Sequence, residues 1–440
     1  MEITALYDIF LRHPGIQTDT RKIIPGDLFF ALKGPNFNGN QFALTALKAG
    51  AAYAIVDEPA GENNDRVILV DDVLSTLQNL AHHHRRQFLL SSSEKQIPFI
   101  AITGSNGKTT SKELIHAVLS TTYKTYTTEG NLNNHIGIPL TLLKIKPDVE
   151  MAIIEMGANH QLEIAGYCEY CMPTHGVITN CGKAHLEGFG GEEGIRKGKG
   201  ELFDYLRRYH GTAFVMWNYS YLREMSKGIP AIIRYGTTEA TITGSVISSA
   251  PFLQVSITGS NSLDTIKTNL VGEYNLPNVL LAVTIGKYFE VPDEKIKSAL
   301  ENYLPANSRS QLIEKEGNKI ILDAYNANPT SMAAAIENFS KLILSAGTVK
   351  VITDKVLMLG GMMELGLESI AEHQKLIELI NKNNWKQVVL VGGDFKQVTH
   401  NYTYFENAEQ ARDWFIDQHF QDTVILIKGS RSTNMEKVLE

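Results

Sequence analysis

The stretch that most constrains the fold of this chain is residues 100–111, Ile-Ala-Ile-Thr-Gly-Ser-Asn-Gly-Lys-Thr-Thr-Ser. A short apolar, β-branched run ends at Thr103, residues 104–107 have the composition of a tight turn, and apolar residues at helical spacing follow. Strand, glycine turn and helix follow one another as in a phosphate-binding loop. This order predicts an α/β fold in which a parallel sheet presents the loop at the carboxyl ends of its strands.

The residue types in this loop suit a nucleotide phosphate. Glycines let main-chain N–H groups point at the phosphate, and the positive end of the following helix favours the anion. A lysine would reach the β and γ oxygens, and a threonine hydroxyl would reach Mg²⁺. The match is partial, because the first glycine of the usual pattern would fall at Ile102, and an ordinary strand-to-helix turn is the alternative. The candidate ATP-binding residues are Gly104, Ser105, Asn106, Gly107, Lys108, Thr109 and Thr110.

Composition narrows the class of protein. A length of 440 residues predicts roughly three domains. The 48 acidic residues outnumber the 41 basic ones, which argues against a nucleic-acid partner. The sequence has no basic and apolar leader and no run of 18 apolar residues, so we expect a cytoplasmic protein without a membrane span. Three cysteines indicate reduced thiols rather than a disulfide scaffold.

Two patterns superficially resemble metal sites, and neither is favoured. Cys168, Cys171, Cys181 and His185 have the spacing of zinc ligands. The first two lie on an amphipathic stretch, where small buried cysteines are common. Residues 82–86, His-His-His-Arg-Arg, fall within a helical pattern, and we expect them to form a solvated helix face.

Two polar linkers, residues 91–96 and 304–308, divide the alternating strand and helix patterns. We expect a small α/β domain over residues 1–95, a central doubly wound and mostly parallel domain over 96–306, and a Rossmann-like α/β domain over 307–440. The predicted strands are 27–32, 52–57, 98–103, 151–155, 176–179, antiparallel strands within 240–272, 319–323, 355–360, 387–391 and 423–428. The predicted helices are 41–49, 109–120, 370–381 and 407–418.

Two further polar residues follow predicted strands of the central domain. Glu155 ends the run 151–155, where a carboxylate can hold the Mg²⁺ that bridges ATP phosphates. A residue capping the next helix is the alternative. His185 lies in a glycine-rich loop after the strand that ends before Asn180. A metal or phosphate role is favoured there over a place in the core.

Six motifs occur in the order found in the Mur ligases, and the chain resembles that family over its whole length. They are residues 102–110, 129–139, 155–157, 185–190, 272–278 and 323–329, with further matches at 18–21, 25–34 and 428–432. Residues 323–329, Asp-Ala-Tyr-Asn-Ala-Asn-Pro, most resemble the member that joins D-alanyl-D-alanine to UDP-N-acetylmuramoyl-tripeptide. The resemblance implies an ATP- and Mg²⁺-dependent amide ligase of peptidoglycan precursor synthesis, with an acyl phosphate intermediate. We expect a monomer.

The resemblance also implies roles for individual residues of this sequence. The implied catalytic residues are Lys108, His185 and a carbamylated Lys199. Beyond the loop, the implied ATP contacts are Asn278, Arg309 and Asp323. The implied contacts to the other substrates are Thr20, Arg21, the loop 33–40 and Asn134, and, for the dipeptide, Asn326 and Asn328. The implied metal-site residues are Thr109, Glu155, His185 and Lys199.

Lys199 has two interpretations. It lies 14 positions after His185, at the start of a helical pattern, and spacing alone favours a solvated basic loop that touches phosphate. The resemblance implies instead a lysine carbamylated by CO₂. Carbamylation needs a neutral amine, which burial favours, and it produces an anion able to ligate or orient Mg²⁺. Lys197 is the alternative bearer of the carbamate.

The sequence departs from the family pattern at two places, and several alternative functions are not excluded. Residues 37–40 read Phe-Asn-Gly-Asn where the family often has Asp-Gly-His after the phenylalanine, and Gly361 occupies a position where the family usually has aspartate. The rivals are another Mur-type or folylpolyglutamate-type ligase, a P-loop ATPase or small-molecule kinase, and a nucleotide-binding scaffold. The third residue of the peptide substrate, diaminopimelate or lysine, is not determined by the sequence.

Overall fold

The computed structural model describes residues 1–59, 64–90, 97–258, 263–305, 308–346 and 350–440. The predicted linker at 91–96 lies outside the described residues, as do residues 306–307 of the second predicted linker. Contacts within the chain group it into two compact units. The first unit contains residues 1–101, 123–158 and 162–176, and the second contains residues 102–122, 159–161 and 177–440.

Strands and helices alternate along the chain. The first are α1 Ile3–Arg12, β1 Ile16–Gln17, β2 Leu28–Phe30, β3 Lys33–Gly34, β4 Phe37–Asn38, α2 Ala43–Lys48, β5 Tyr53–Val56, β6 Val67–Leu69 and α3 Val73–Leu90. The next are β7 Phe99–Thr103, α4 Lys108–Leu119, β8 Thr125–Thr127, α5 Gly137–Leu143, β9 Met151–Glu155, α6 Glu163–Cys171, β10 His175–Ile178, α7 Leu186–Phe189, α8 Glu192–Arg208 and β11 Thr212–Met216.

The remaining elements complete the central segment and the carboxyl-terminal part. They are α9 Ser220–Met225, β12 Ala231–Gly236, β13 Ile242–Ser248, β14 Gln254–Thr258, β15 Thr265–Lys267, α10 Leu276–Tyr288 and α11 Asp293–Asn302. There follow β16 Gln311–Lys315, β17 Asn318–Asp323, α12 Pro329–Lys341, β18 Leu344–Ala346, β19 Lys350–Ile352, β20 Lys355–Gly360, α13 Ser369–Ile380, β21 Gln387–Val391, β22 Thr403–Phe405, α14 Ala408–Asp417 and β23 Val424–Lys428.

The first unit contains a four-stranded sheet in the order β1-β2-β5-β6, whose ladders are parallel. Parallel neighbours need a crossover connection, and α2 lies in the one between β2 and β5. Phe29 and Ala54 of these strands pack with Ala46 and Leu47 of α2 in one apolar cluster. Burial of this apolar face stabilises the small sheet.

The largest sheet has the strand order β8-β9-β7-β10-β11-β12-β13-β14-β15. Its strands β11 to β15 lie within the second unit. The ladders from β11 to β13 are parallel, and those from β13 to β15 are antiparallel. The prediction of antiparallel strands within residues 240–272 is confirmed, although residues 259–262 lie outside the described ranges.

The carboxyl-terminal sheet lies in the second unit and has the order β16-β17-β23-β20-β21-β22. All of its ladders are parallel except the antiparallel β16–β17 pair at one edge. Its core is apolar strand surface that includes Ile320, Met358, Val389 and Ile425. Strands buried on both faces read as continuous apolar runs, which is why this sheet is visible in the sequence.

The predicted fold class, an α/β protein with mostly parallel sheets, is confirmed. The predicted helix over residues 41–49 begins as a 3-10 turn, Gly39–Phe42, and becomes α2 only at Ala43. The hairpin β18–β19, the strands β16 and β22 and the helix α12 were not predicted from the sequence. Within the described ranges, no helix is long and apolar enough to cross a membrane.

The prediction that residues 82–86 form a solvated helix face is wrong for two of them. His84 and Arg85 are buried in the first unit. His84 is hydrogen-bonded through Nδ1 to the Tyr7 hydroxyl (3.0 Å) and through Nε2 to the Ile145 carbonyl (2.8 Å). Arg85 Nε donates to the Cys171 carbonyl (2.9 Å), and its guanidinium lies 3.6 Å from the centre of the Phe99 ring. The helix therefore uses its polar residues to join secondary structure elements.

We predict that His84 makes the protein sensitive to acid. Burial lowers the pKa of His84 below its ordinary value, so its stabilising contribution is complete above about pH 6.5 and is lost as the pH falls through the folded-state pKa. The unfolding free energy should therefore fall in that range, by up to ~1.4 kcal/mol per pH unit for one proton. Urea unfolding at several pH values should show a smaller slope for His84→Gln than for the wild type, and equal slopes would contradict this role.

Candidate functional site

Glycine is required at two positions of the phosphate loop. The loop joins β7, which ends at Thr103, to α4, which begins at Lys108. Gly104 has a φ of +141°, and a Cβ atom there would collide with the Thr179 hydroxyl. Gly107 has a φ of +80°, and a Cβ atom there would lie 2.7 Å from Asn278 Oδ1. Both positions combine a left-handed backbone with close packing, which only glycine tolerates.

The loop is held in place by the end of β10. Asn180 accepts hydrogen bonds from the main-chain N–H of Ser105 (2.9 Å, to its carbonyl) and of Asn106 (3.0 Å, to Oδ1). The Asn106 carbonyl accepts from Thr179 Oγ1 (2.6 Å) and from Asn180 Nδ2 (3.0 Å). Ser105 Oγ donates to the Gly182 carbonyl (2.6 Å). These bonds preorganise the loop, and the polar residues at the strand end are the only feature of the sequence that indicates them.

The side chains that follow the glycines stand at the first turn of α4. Lys108 Nζ folds back over the loop and donates to the Gly104 carbonyl at 2.6 Å. Thr109 is buried, and Thr110 is half-buried. The positive end of α4, a lysine and two hydroxyls therefore lie together, as binding of a phosphate and its counter-cation requires.

Two asparagines expected to contact substrates also support the loop. Asn278 Oδ1 accepts from Ser111 Oγ (3.0 Å), and its Nδ2 donates to Asn275 Oδ1 (2.9 Å). Asn328 caps the amino terminus of α12, and its Nδ2 donates to Asn106 Oδ1 at 2.7 Å. Within the second unit, Asn328 thus connects the carboxyl-terminal segment directly to the phosphate loop.

Asp323 lies at the carboxyl end of β17 in a built polar cluster. Its Oδ1 accepts from the Ser310 N–H (3.2 Å), and its Oδ2 pairs with Lys428 Nζ at 2.6 Å. Lys428 is almost completely buried and also donates to the Asn326 carbonyl (3.1 Å). Sequence reasoning noted the segment 428–432 but assigned Lys428 no role. The Asn326 side chain is exposed next to this cluster.

Arg309 is placed by an aromatic contact. Its guanidinium carbon lies 3.6 Å from the centre of the Tyr325 ring. A guanidinium stacked on an aromatic face keeps its N–H donors free to point along the ring plane. Arg309 also lies near Asp323 along the backbone, because the N–H of its neighbour Ser310 donates to the Asp323 carboxylate.

Lys183 connects the loop after β10 to the carboxyl-terminal segment and was not predicted. Its N–H donates to Thr330 Oγ1 (2.9 Å), and its Nζ pairs with Glu372 at 2.8 Å. Glu372 is buried on α13 and raises the pKa of Lys183. The signal in the sequence was weak, because a lysine in a glycine-rich loop reads as a phosphate ligand.

His185 lies at the start of α7 with a φ of +55°. Its Nδ1 is paired with the carboxylate of Glu364, in the loop that follows β20. The contact with the His185 side chain is the main cause that lowers the pKa of Glu364. The Glu364 carbonyl also accepts from the Glu187 N–H at 3.3 Å. His185 therefore has a carboxylate partner, Glu364, that was not predicted from the sequence.

Lys199 and Lys197 have opposite environments. Lys199 lies near the middle of α8 rather than at the start of a helix, and it is 1% exposed. Its Nζ lies 4.8 Å from the centre of the Phe189 ring. Lys197 is solvent-exposed and pairs with Glu193 one turn earlier. The interpretation of Lys199 as part of a solvated basic loop is therefore wrong. Lys197 is the lysine that is exposed to solvent.

Glu155 ends β9 in the first unit and is buried. Its Oε1 accepts from Asn133 Nδ2 at 2.8 Å, and its N–H donates to Thr128 Oγ1 at 3.0 Å. The carboxylate is thus oriented by an amide. The alternative interpretation as a helix cap does not apply, because the next helix, α6, begins only at Glu163.

The other expected substrate contacts in the first unit lie at its surface. Arg21 pairs with Asp19 at 2.8 Å and lowers the pKa of that carboxyl to about 2. Thr20 begins the same 3-10 turn and is half-buried. Asn134 is exposed, and its Oδ1 accepts from the N–H groups of residues 136 and 137. The Arg21 side chain, 87% exposed, is available to a ligand.

The loop 33–40 forms the β3–β4 hairpin, and its last residue is fixed from within. Asn40 is buried, donates to Asp57 Oδ1 (2.8 Å) and accepts from the Asp57 N–H (3.0 Å). Lys33 Nζ also pairs with Asp57, at 3.0 Å. Asn40 thus serves the shape of this loop, which is the structural consequence of this departure from the family pattern.

Cys168 and Cys171 are buried in α6 and Cys181 is half-buried, and none of these three forms a disulfide. Burial raises the pKa of Cys171 to about 12, so this thiol stays protonated. In the part of the chain that the structure describes, no group of three or more His, Cys, Asp or Glu side chains is arranged to hold a metal ion.

Gly361 has a packing reason to be glycine. A Cβ atom there would lie 2.6 Å from the Cα atom of Gly393, so two backbone segments meet at this point. We predict that Gly361→Asp, which would introduce the residue usual in the family, lowers the unfolding free energy by about 1–3 kcal/mol through overpacking. Urea denaturation measures the change. Gly34→Asp is the matched control, because an added Cβ atom there meets no atom within 4 Å and its φ lies outside the left-handed region, so this variant should keep nearly the wild-type unfolding free energy.

The fold and this loop define an α/β enzyme of the P-loop class, in which main-chain N–H groups at a helix start bind a nucleotide phosphate. Models of known families match the chain in three segments. The chain belongs to the Mur ligase family. The matches are the Mur ligase family catalytic domain over residues 13–85, the Mur ligase middle domain over 102–286, and the Mur ligase glutamate ligase domain over 308–431.

Similar proteins span nearly the whole chain. The UDP-N-acetylmuramoyl-tripeptide–D-alanyl-D-alanine ligase of Bacillus subtilis is 33% identical, over 97% of this chain and 92% of that protein. The structure of MurF from Acinetobacter baumannii has a TM-score of 0.84 and 30% identity, covering 98% of this chain and 96% of that one. The MurF ligase of Thermotoga maritima in complex with ADP has a TM-score of 0.84 and 25% identity, covering 98% and 97%.

Proposed function

We propose that this protein joins D-alanyl-D-alanine to UDP-N-acetylmuramoyl-tripeptide with hydrolysis of ATP to ADP and phosphate, giving UDP-N-acetylmuramoyl-pentapeptide for peptidoglycan synthesis. The observation that carries the proposal is the match, from end to end, with a relative that has this ligase name. The geometry of the phosphate loop supports ATP as the energy source, as does the complex of a similar structure with ADP.

The chemistry explains why ATP is needed. A free carboxylate is a poor acyl donor, because its leaving group would be oxide. In the proposed reaction the terminal carboxylate of the peptide attacks the γ-phosphoryl group and forms an acyl phosphate with release of ADP. The amine of the dipeptide then attacks the acyl carbon, and phosphate leaves from a tetrahedral intermediate. This route requires no nucleophilic side chain of the protein.

The residues of the second unit have separate roles in this proposal. The N–H groups of the loop and the start of α4 would bind the phosphates, and Lys108 would exchange its contact with the Gly104 carbonyl for a phosphate oxygen. Asn278 would contact the adenine, and Arg309 and Asp323 would contact the phosphates and ribose. Lys428, bonded to Asp323 at 2.6 Å, would keep that carboxylate in position.

We also propose that a magnesium ion accompanies the ATP. The hydroxyl of Thr109 and the carboxylate of Glu155 are oxygen donors of the kind that Mg²⁺ prefers, and His185 and a carbamylated Lys199 would complete the protein's share. Phosphate oxygens and water would supply the remaining ligands. When bound, Mg²⁺ would neutralise charge on the phosphoryl oxygens.

The other substrates would bind through segments at either end of the chain. We propose that residues 1–95 bind the UDP-sugar through Thr20, Arg21 and the β3–β4 hairpin, with Asn134 as a further contact. Residues 96–306 would bind ATP, and residues 307–440 would bind the dipeptide through Asn326 and Asn328 and complete the ATP site. We also propose a monomeric enzyme that works in the cytoplasm, where ATP is available.

The release of ADP by the purified protein tests the function. It should require a UDP-muramoyl-tripeptide and D-alanyl-D-alanine together. Release with either substrate alone would favour the ATPase or kinase alternative, and release with glutamate and a folate would favour the folylpolyglutamate-type alternative. Parallel assays with the diaminopimelate and lysine tripeptides would then identify the third residue of the natural substrate.

A further inference from the structure

We propose that Glu364 is a positioning residue for His185: its carboxylate accepts the Nδ1 proton of the imidazole and so leaves the Nε2 lone pair available to the cation that accompanies the nucleotide. This inference rests on the proposed function for its consequence in catalysis. The contact between the two side chains does not depend on that function.

The His185 and Glu364 side chains face each other. Nδ1 of His185 is buried and has Glu364 Oε2 as its ion-pair neighbour, without a hydrogen bond of ordinary geometry, and the His185 side chain is 20% exposed overall. A neutral imidazole that donates from Nδ1 has its second nitrogen unprotonated. A histidine that binds a metal commonly donates its other N–H to a carboxylate or a carbonyl, which fixes both its tautomer and the orientation of its ring.

Two backbone segments are also joined around this contact. The Glu364 carbonyl accepts from the Glu187 N–H (3.3 Å). An added Cβ atom on Gly366 would lie only 3.1 Å from Glu187 Cβ. Both His185 and Glu364 have positive φ values, +55° and +61°. Such backbone conformations cost free energy in non-glycine residues and persist only where the surroundings impose them.

His185 also follows closely in sequence on a residue that holds the phosphate loop, since the Gly182 carbonyl accepts from Ser105 Oγ at 2.6 Å. Glu364 comes from another segment, the loop after β20 of the carboxyl-terminal sheet. A carboxylate of one segment therefore contacts a side chain three residues from the carbonyl that holds the phosphate loop. The position of the carboxyl-terminal segment would then determine the tautomer of His185.

A purely structural contact between the segments is the competing explanation, and the chain offers a matched control for it. The Lys183–Glu372 pair joins the same loop to α13 at 2.8 Å and is two residues from His185. If Glu364 only fastens the two segments, loss of Glu372 should affect His185 in the same way. If Glu364 selects the tautomer, only its own replacement should do so.

The experiment is a ¹⁵N–¹H NMR measurement of histidine tautomers in the ligand-free full-length protein, at a pH well above the ordinary histidine pKa of ~6.5. His185→Gln identifies the signals of His185. We expect the Nδ1–H tautomer in the wild type and a shift toward the Nε2–H tautomer in Glu364→Met. Glu364→Gln keeps an oxygen acceptor and should retain Nδ1–H, and Glu372→Gln should leave the tautomer unchanged.

Catalysis provides the second measurement. Glu364→Met should lower kcat by about 10–100-fold, as the loss of a residue that orients a metal ligand does, with partial recovery in Glu364→Gln. An Nε2–H tautomer in the wild type, no change in Glu364→Met, or an equal change in Glu372→Gln would each overturn the inference. If the tautomers behave as expected but no ligation occurs with any substrate pair, the proposed function fails and the positioning contact stands.

Discussion

Replacement of Lys108 by alanine is expected to reduce ligation by at least about 100-fold while the protein stays folded. Lys108 is the first residue of α4, and its Nζ donates to carbonyls of the loop itself, at 2.6 Å for Gly104 and 3.3 Å for Ser105. These are polar contacts of the loop and not packing in an apolar core, so the fold should tolerate the change. Its proposed contribution is to stabilise negative charge on the phosphoryl group in the transition state.

The measurement is the steady-state rate of ADP release with both other substrates saturating, with circular dichroism as the check on folding. Lys295→Ala is the matched control. Lys295 is exposed, and its Nζ donates to the Thr121 carbonyl just beyond the other end of the same helix (2.9 Å). The control should have nearly normal activity. Wild-type turnover in Lys108→Ala would refute the assignment of the loop.

Lys199→Ala should also be nearly inactive, with a loss of about 100-fold or more, and a small carboxylate such as formate should restore part of the activity. The physical reason is burial. Lys199 is 1% exposed, and a buried amine favours the neutral form that CO₂ modifies. The truncated side chain would leave space near the site where the carbamate is proposed to act, and an added anion could occupy it.

Lys197 is the internal control for this prediction. It lies two residues away on the same helix, but it is exposed and paired with Glu193 at 2.9 Å. Lys197→Ala should keep substantial activity and should not respond to formate. If Lys197→Ala loses activity while Lys199→Ala keeps it, the assignment moves to Lys197. If both variants remain active, the carbamate hypothesis is wrong for this chain.

Local patterns were sufficient for the framework of the fold. The strands that end at Thr103, Glu155 and Asp323 are continuous apolar runs, and burial on both faces of a parallel sheet produces this pattern. The glycines of the phosphate loop were also recognisable, because a strand, a glycine turn and a helix are adjacent in sequence. Each of these features depends on residues within about one turn or strand of one another.

Contacts between residues far apart in sequence explain the residues whose surroundings were not predicted. His84 and Arg85 look like part of a solvated charged helix face, but they bond to Ile145 and Cys171, which are 61 and 86 positions away. Helical periodicity carries no information about such partners. In the same way, no local pattern shows that Lys199 is buried, since Lys197 and Lys199 differ only in which side of α8 faces the core.

The sequence by itself determined the α/β class, the phosphate loop and membership of the Mur ligase family, because these depend on local order and on motifs that stay contiguous. Only the tertiary structure decided which side chains meet. It pairs His185 with Glu364, Lys183 with Glu372, Asn106 with Asn328 and Asp323 with Lys428. These partners are between 105 and 222 positions apart. Contacts at such separations form only when the sheets and helices have packed, so their chemistry is a property of the folded chain.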